Sequence, residues 1–229
     1  MSFAVRVFPS GSYAADTAAL IAERLPTTGS LVVTGGTAAG SVYGALDVDL
    51  SKIEVFFSDE RCVPPHDEAS NFKMATDALL ARSGATSVHR MRGEDSPRQA
   101  AASYGEQLVP AVRERFDLML LGMGSDNHIA ALFPNSPALL EADALCVAVD
   151  RPDGLKGLTM TPPSIIAAKA VLLVVSGESK AEAVARAIDG DEDAMSCPVR
   201  LLVDHPDVTF VLDDAAASRI DRTRGPTGT

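Results

Sequence analysis

A carboxylate and an imidazole stand two residues apart in the segment 122–128, which reads Gly-Met-Gly-Ser-Asp-Asn-His and follows the apolar run 118–121. A strand that ends in Gly-x-Gly lets the backbone approach a ligand closely. A histidine near a carboxylate is suited to general-base catalysis, because the carboxylate sets its tautomer and proton affinity. We therefore interpret His128 and Asp126 as candidate catalytic residues. A histidine that caps the next helix, or is simply solvated, is the alternative.

A second candidate is the charge triplet Asp59-Glu60-Arg61, which follows an aromatic strand. Ligands bind at the carboxyl ends of parallel strands in α/β sheets, so Arg61 is suited to a bidentate contact with a phosphate. Surface salt bridges would explain the same three residues. Ser70-Asn71 lies a few residues further on, at a predicted helix start where serine is a favourable N-cap.

Two other strand-to-helix turns have features of an anion site. Gly35-Gly36-Thr37 follows a strand, so its free backbone N–H groups and the positive end of the next helix lie at the carboxyl edge of the sheet. Lys180 falls in a first helical turn, where the helix dipole disfavours a cation unless an anion is bound. An ordinary turn and a solvated lysine are the alternatives. Neither segment is a Walker A loop or a GxGxxG motif.

These residues must be positioned by an alternation of short apolar runs and longer Ala-rich stretches, which predicts an α/β fold. We expect a mostly parallel, Rossmann-like central sheet with helices on both faces, formed by residues 1–220 as one domain, and a frayed tail over 221–229. Strands are predicted near 4–8, 31–34, 53–58, 87–91, 118–121, 145–149, 171–175 and 208–212. Helices are predicted over 12–25, 37–46, 70–82, 97–115, 163–169, 179–188 and 214–220, with Pro110 bending or splitting the fourth.

Composition excludes several classes of function. The chain has 229 residues with 20 Lys plus Arg and 31 Asp plus Glu, a net charge of −11, which disfavours binding to nucleic acid or membrane surfaces. No signal peptide is visible, and no apolar run approaches the roughly 20 residues that span a bilayer. Three dispersed cysteines and four scattered histidines predict neither disulfides nor a metal site. We expect a cytoplasmic protein.

Five motifs occur in order along the chain, and together they resemble those of the 6-phosphogluconolactonase family, which is related to the glucosamine-6-phosphate deaminases. They are Thr34-Gly35-Gly36-Thr37; Ser58-Asp59-Glu60-Arg61-x-Val-Pro with Ser70-Asn71; Leu121-Gly122-Met123-Gly124-x-Asp126-x-His128 through Leu132-Phe133-Pro134; Thr159-x-Thr161; and Ser176-Gly177-Glu178-x-Lys180-Ala181.

The resemblance implies hydrolysis of 6-phospho-D-glucono-1,5-lactone to 6-phosphogluconate, the second step of the oxidative pentose phosphate pathway, without metal or organic cofactor. It makes His128 the base, with Asp126 and Asp59 orienting the imidazole and the sugar hydroxyls. Glycine-rich backbone N–H groups would stabilise the oxyanion. The implied substrate-binding set is Gly35, Gly36, Thr37, Arg61, Asn71, Gly122, Gly124, Lys156 and Lys180. The implied partner is a small sugar-phosphate lactone, bound by a monomer or a small homo-oligomer.

Two positions depart from the pattern of the family. Asn127 stands where the family usually has glycine, although asparagine tolerates positive φ better than most residues. Gly157 stands where the family usually has arginine, and the neighbouring Lys156 offers a point charge without a bidentate contact. These departures leave weaker activity, an altered substrate, or a non-catalytic sugar-phosphate-binding paralogue open.

An amino-sugar phosphate isomerase or deaminase is the other alternative. That relative would be expected to continue from the histidine into Ala-Phe-Asn-Glu-Pro and so to supply another carboxylate. This chain reads Ala131-Leu132-Phe133-Pro134 instead, which favours the lactonase.

Overall fold

Two sheets organise the chain in the computed structural model, which describes residues 3–221. Seven parallel strands form the central sheet, in the order β1-β10-β9-β6-β2-β3-β5, and three antiparallel strands form a smaller sheet, in the order β4-β8-β7. In chain order they are β1 (Ala4–Phe8), β2 (Gly29–Val33), β3 (Ile53–Phe57), β4 (Asp59–Arg61), β5 (Ser87–His89), β6 (Leu118–Leu121), β7 (Cys146–Asp150), β8 (Lys156–Met160), β9 (Val171–Val175) and β10 (Val208–Asp213).

The central sheet is covered by helices on both faces, which confirms the predicted fold class. Its inner strands β6 and β9 are apolar throughout, because a covered parallel sheet buries both of its surfaces. In β6, Leu118 and Leu120 pack into one core, and Met119 and Leu121 pack into the other. The helices are α1 (Tyr13–Arg24), α2 (Thr37–Ala45), α3 (Asn71–Ala75), α4 (Pro97–Glu114), α5 (Pro162–Ile166) and α6 (Ala181–Asp189).

The smaller sheet was only partly predicted. Strand β7 was expected near 145–149, but β4 and β8 were not expected as strands at all. Strand β4 consists of the charge triplet Asp59-Glu60-Arg61, which has no apolar alternation. Its pairing comes from backbone hydrogen bonds to β8 rather than from a burial pattern that the sequence displays.

Two helix predictions also need correction. Residues 214–220 form turns and no helix: the i→i+4 hydrogen bond from the Ala217 N–H to Asp213 O, at 3.0 Å, is followed by i→i+3 bonds of 3.3 and 3.4 Å, so the helical ladder does not continue. Helix α4 runs unbroken through Pro110, since a proline removes only one hydrogen bond from the ladder. The predicted frayed tail lies outside the described residues, except for Asp221.

Two buried tyrosines complete the ends of neighbouring strands. The Tyr104 hydroxyl, from α4, accepts the Phe57 N–H at 2.8 Å and donates to Phe57 O at 3.0 Å. The Tyr43 hydroxyl, from α2, does the same for the N–H and O of Thr34, at 2.9 and 3.1 Å. Burial raises the pKa of both phenols, so both remain protonated donors. Each hydroxyl thus provides a hydrogen-bond partner for the backbone N–H and C=O of a residue at the end of a strand, just before the loop at the carboxyl edge.

Two simpler expectations can be checked directly. Cys62, Cys146 and Cys197 are free thiols. Within residues 3–221, no helix has both the length and the hydrophobicity needed to cross a bilayer.

Replacing Tyr104 with Phe tests the role of its hydroxyl. Tyr104→Phe leaves both a buried N–H and a buried C=O without a partner, so we expect a loss of about 2–4 kcal/mol in the free energy of unfolding. Tyr13→Phe is the matched control, because the buried Tyr13 hydroxyl donates to one backbone oxygen, Val211 O at 3.0 Å, and its loss should cost about 1–2 kcal/mol. Urea unfolding of both variants measures the difference, and equal losses would contradict the two-bond role.

Candidate active site

A cavity of about 420 Å³ opens at the carboxyl edge of the central sheet. From β2 the chain proceeds outward to β3 and β5, and from β6 it proceeds outward to β9 and β10 in the opposite direction. The cavity therefore lies where the strand order reverses, the position at which open α/β sheets bind ligands. Its lining comes from the loops after β2, β6 and β9, together with β4 and the residue after β7.

Most of the residues predicted for the site line this cavity. They are Gly35, Gly36, Thr37, Asp59, Arg61, Gly122, Gly124, His128 and Lys180. Asp126 and Asn71 lie behind the lining and contact it, since Asp126 bonds to His128 and Asn71 bonds to Asp59. The structure does not bring Lys156 to the cavity.

His128 and Asp126 form a short side-chain pair. Asp126 Oδ1 lies 2.6 Å from His128 Nδ1 and also accepts the His128 backbone N–H at 3.2 Å. Because the carboxylate accepts at Nδ1, that nitrogen carries the ring proton, and Nε2 is left with a lone pair that can accept a proton. The ring packs against Phe133, with centroids 4.6 Å apart. This arrangement suits general-base chemistry.

The Asp126 carboxyl titrates below its ordinary range. Burial alone would raise its pKa, but the hydrogen bond and the charge of His128 outweigh burial and hold the pKa below its ordinary value. Stability from this pairing is therefore fully present above the unfolded-state pKa and is lost as the pH falls through the lowered value. The carboxylate remains ionised, and able to orient the imidazole, at neutral pH.

Glycine is a steric requirement at two positions beside this pair. A Cβ on Gly124 would lie 2.1 Å from His128 Nδ1, and a Cβ on Gly35 would lie 1.9 Å from Asn71 Oδ1. The Gly124 N–H donates to His128 O at 2.9 Å, so it closes the turn rather than facing the cavity. The N–H of Gly122 similarly approaches Thr34 Oγ1 at 3.4 Å. Gly124 thus shapes the site through the space that it leaves, whereas a Cβ on Gly122 would meet only Gly35 O, at an ordinary contact distance of 3.6 Å.

Asn127 adopts the positive φ that the sequence analysis expected of a glycine position. Its φ is 67°, which confirms that asparagine can form this turn. Its Nδ2 donates to Ala183 O at 2.6 Å, so the side chain also links the His128 turn to α6.

Glu60 anchors β4 to the start of α3. Its carboxylate accepts four hydrogen bonds, from the backbone N–H groups of Arg61, Asn71 and Phe72 and from the Ser70 hydroxyl, all at 2.7–2.9 Å. Burial raises the pKa of this carboxyl, and the four hydrogen bonds oppose the rise. Glu60 was not among the site residues predicted from the sequence, because it stands in a run of charges that resembles a solvated surface.

Arg61 and Asp59 occupy the cavity wall on either side of Glu60. The guanidinium of Arg61 donates from Nη1 to Ala69 O at 2.6 Å, and its buried Nε has no partner among the described residues. Asp59 accepts from Ser58 Oγ at 3.0 Å and from Asn71 Nδ2 at 3.1 Å. Asn71 therefore orients Asp59 rather than lining the cavity itself.

Arg151 lines the cavity, although the sequence analysis did not select it. It follows β7, and only the pairing of β7 with β8, which the sequence did not reveal, brings it to the site. Lys156 is directed elsewhere because side chains alternate along a strand: the position of a Cβ on Gly157 faces Arg151, so the preceding residue faces away. Lys156 is largely exposed and pairs with its cross-strand partner Asp150.

The cavity is locally cationic. Arg61, Arg151 and Lys180 line it, and among residues 3–221 Asp59 is the one acidic residue of its lining. Such a charge balance favours an anionic ligand. Among residues 3–221, no group of three or more His, Cys, Asp or Glu side chains is placed to hold a metal ion.

Comparisons with known proteins show the family to which the chain belongs. Residues 11–211 match the family model described as glucosamine-6-phosphate isomerases/6-phosphogluconolactonase. A 6-phosphogluconolactonase of Mycobacterium tuberculosis is 39% identical over 191 residues, which cover 77% of this chain and 76% of the relative.

Two solved structures show the same fold. A 6-phosphogluconolactonase of Trypanosoma brucei superposes with a TM-score of 0.82 at 22% identity, covering 96% of this chain and 99% of that chain. A monomeric glucosamine-6-phosphate deaminase superposes with a TM-score of 0.83 at 21% identity, covering 95% of this chain and 100% of that chain.

Replacing Glu60 with Gln tests its role in building the site. An amide cannot accept hydrogen bonds at both of its heteroatoms, so at least one buried N–H loses its acceptor, and we expect a loss of about 1–3 kcal/mol in the free energy of unfolding. Glu54→Gln is the matched control, because the Glu54 side chain is 58% exposed on β3 and should change stability by less than about 0.5 kcal/mol. Similar urea-unfolding midpoints for the two variants would contradict the anchoring role.

Proposed function

The chain belongs to the glucosamine-6-phosphate isomerase/6-phosphogluconolactonase family, and on that basis we propose that its cavity hydrolyses 6-phospho-D-glucono-1,5-lactone to 6-phosphogluconate. The observation that carries the proposal is that the Asp126–His128 pair and the cations Arg61 and Lys180 belong to one cavity. A lactone is an activated ester, so a positioned base that activates water is sufficient for its hydrolysis.

The reaction follows from the protonation state of His128. Nε2 accepts a proton from a water molecule while the water oxygen bonds to C1 of the lactone. The oxyanion that forms lies near the imidazolium that the same step produces, and that positive charge stabilises it. The bond from C1 to the ring oxygen then breaks, and that oxygen takes the proton back from the imidazolium. One water is added, and the new carboxylic acid ionises.

Asp126 stabilises the imidazolium at the intermediate stage of this reaction. Its carboxylate holds Nδ1 at 2.6 Å, so the ring cannot rotate away while Nε2 carries the transferred proton. Asp59, which Asn71 and Ser58 fix from behind, faces the cavity as an acceptor for sugar hydroxyls.

The substrate phosphate is held by the Gly35-Gly36-Thr37 turn, Arg61 and Lys180. The turn lies at the start of the nine-residue helix α2, whose positive end favours an anion. Gly36 has a φ of 102°, a conformation that suits glycine, so its backbone can bend around a ligand there. Lys180 has no acidic partner within 4.0 Å in the described part of the chain, so its charge is available to the phosphate.

His128→Ala tests the assignment of the base. We expect the enzymatic rate of lactone hydrolysis to fall about 10²- to 10⁴-fold, because a positioned proton acceptor contributes that much. The lactone also opens spontaneously, so freshly generated substrate and a reaction without enzyme are needed. His66→Ala is the control, since His66 is exposed and does not line the cavity.

Each outcome of that assay has a clear meaning. Equal rates for wild type and His128→Ala would contradict the role of His128. Wild-type turnover of glucosamine 6-phosphate, without turnover of the lactone, would identify the deaminase activity instead. Tight binding of 6-phosphogluconate without any turnover would identify a binding protein.

Lys180→Met tests the phosphate site. Loss of one charged hydrogen bond should raise KM for the lactone about 10- to 100-fold and leave kcat nearly unchanged, because the contact is the same in the ground state and the transition state. Lys52→Met is the matched control: Lys52 is exposed before β3, at the opposite edge of the sheet. A fall in kcat without a change in KM would contradict the placement of the phosphate at Lys180.

A further inference from the structure

Arg151 is nearly buried at the wall of the cavity, directly after the end of β7. Its side chain is 9% exposed, and its guanidinium carbon lies 5.6 Å from the ring centroid of Phe133. A guanidinium that is removed from water needs anionic or aromatic partners on every side to offset its lost hydration. The contacts of Arg151 must therefore replace the hydration that its guanidinium has lost.

Asp153 fixes one side of this guanidinium. Its Oδ2 accepts from Arg151 Nε at 3.1 Å and from Nη2 at 3.0 Å. The third nitrogen, Nη1, lies 3.9 Å from Asp59 Oδ2, which is beyond hydrogen-bonding distance. Because Asp153 occupies two of the three nitrogens, it directs Nη1 toward Asp59 and the cavity.

Gly157 supplies the space through which Arg151 reaches the cavity. A Cβ at position 157 would lie 2.9 Å from Arg151 Cδ and 3.2 Å from its Cγ, both closer than carbon atoms pack without displacement. Gly157 is not among the glycines with positive φ, so its backbone does not require glycine. The requirement comes from the path of the arginine.

The same glycine places Arg151 next to Arg61. Gly157 on β8 is the cross-strand partner of Arg61 on β4, and the aliphatic part of Arg151 lies over Gly157. The two guanidinium groups therefore enter the cavity from adjacent positions. A pair of guanidiniums matches the charge and the several acceptor oxygens of a phosphate monoester.

We propose that Arg151 is a substrate-binding residue that contacts the phosphate group together with Arg61, with Asp153 as its positioning residue and Gly157 as the space that it needs. This inference rests on the proposed function for the identity of the substrate. It assigns the second guanidinium of the site to a position outside the five sequence motifs, and it explains the glycine at position 157 by a contact.

The test is the binding of 6-phosphogluconate to the full chain, measured by calorimetry without turnover. Arg151→Met keeps the apolar stem over Gly157 and removes the charge, so we expect Kd to rise about 10- to 100-fold. Arg151→Lys should give an intermediate value, because it keeps the charge and loses the planar fork. Asp153→Asn should weaken binding about three- to tenfold through misplacement of the guanidinium.

Arg24→Met is the matched control. Arg24 is also paired with one aspartate, Asp207, through two hydrogen bonds of 2.6 and 2.7 Å, but it lies at the end of α1 and does not line the cavity. Its replacement should leave Kd unchanged. Circular dichroism and urea unfolding of each variant separate a loss of binding from a loss of folding.

Inorganic phosphate identifies the contacted group. If Arg151 binds the phosphate, then Arg151→Met should weaken competition by inorganic phosphate by a similar factor, and in the lactone assay it should raise KM rather than lower kcat. Weaker binding of 6-phosphogluconate with unchanged competition by inorganic phosphate would overturn the phosphate contact.

A double-mutant cycle tests the coupling to Gly157. Gly157→Ala should weaken binding of 6-phosphogluconate about tenfold when Arg151 is present, and it should have no further effect in an Arg151→Ala background, because the clash is then absent. Additive losses would overturn the steric coupling. Equal binding by wild type and Arg151→Met would overturn this inference alone, whereas failure of the wild type to bind 6-phosphogluconate would overturn the proposed function as well.

Discussion

The buried carboxylate of Glu60 is the interaction on which the site depends. It satisfies three backbone N–H groups and one hydroxyl, and so joins β4 to the first turn of α3. The side chains that alternate with it along the same short strand, Asp59 and Arg61, are thereby fixed at the cavity wall. A buried carboxylate is costly unless its oxygens are fully bonded, and full bonding is what fixes the geometry of its neighbours. The functional residues are thus placed by the hydrogen bonds of Glu60, which does not itself line the cavity.

The net negative charge of the protein repels an anionic ligand over most of the surface, whereas the lining of the cavity attracts it. The net charge is −11, yet three cations and one carboxylate line the site. The cations keep part of their charge because their contacts are limited to a neutral acceptor for one guanidinium and a single carboxylate oxygen for the other. Arg61 is held by a backbone carbonyl oxygen, and Asp153 binds Arg151 through a single carboxylate oxygen, so neither guanidinium is saturated. Residual charge is therefore available to a phosphate, and the surrounding acidic surface restricts that affinity to one place.

The central sheet and most of its ligand-facing residues could be predicted from the sequence, because both follow from local rules. Apolar runs form the strands, and the loops after them must meet at one edge, which is why Gly35, Arg61, His128 and Lys180 meet at one cavity. The smaller sheet does not follow from such rules. Its strands are short and contain charges or glycine, and the register of β4 against β8 is set by contacts between segments about 100 residues apart in sequence.

The residues that sequence reasoning misplaced depend on that register. The selection of Lys156 assumed that a lost charge is replaced by its neighbour in sequence. In the structure a guanidinium reaches the cavity from across the hairpin, because Arg151 can pass over a residue without a side chain, whereas Lys156 points to the other face of its strand. Residues that are adjacent along a strand point to opposite faces of the sheet. The neighbour of a missing site residue is therefore poorly placed to substitute for it.

Asn127 likewise shows that the backbone conformation of a position does not explain the contacts of its side chain. Positive φ explains why asparagine is tolerated there, but not the hydrogen bond of 2.6 Å from its side chain to Ala183 O. That bond joins the His128 turn to α6, and Lys180 directly precedes α6. The Oδ1 of the same amide is buried without a partner in the described part of the chain, which costs about 1–3 kcal/mol. A glycine would avoid that cost, but it would also lose the link between the turn that carries the base and the helix that follows the cation.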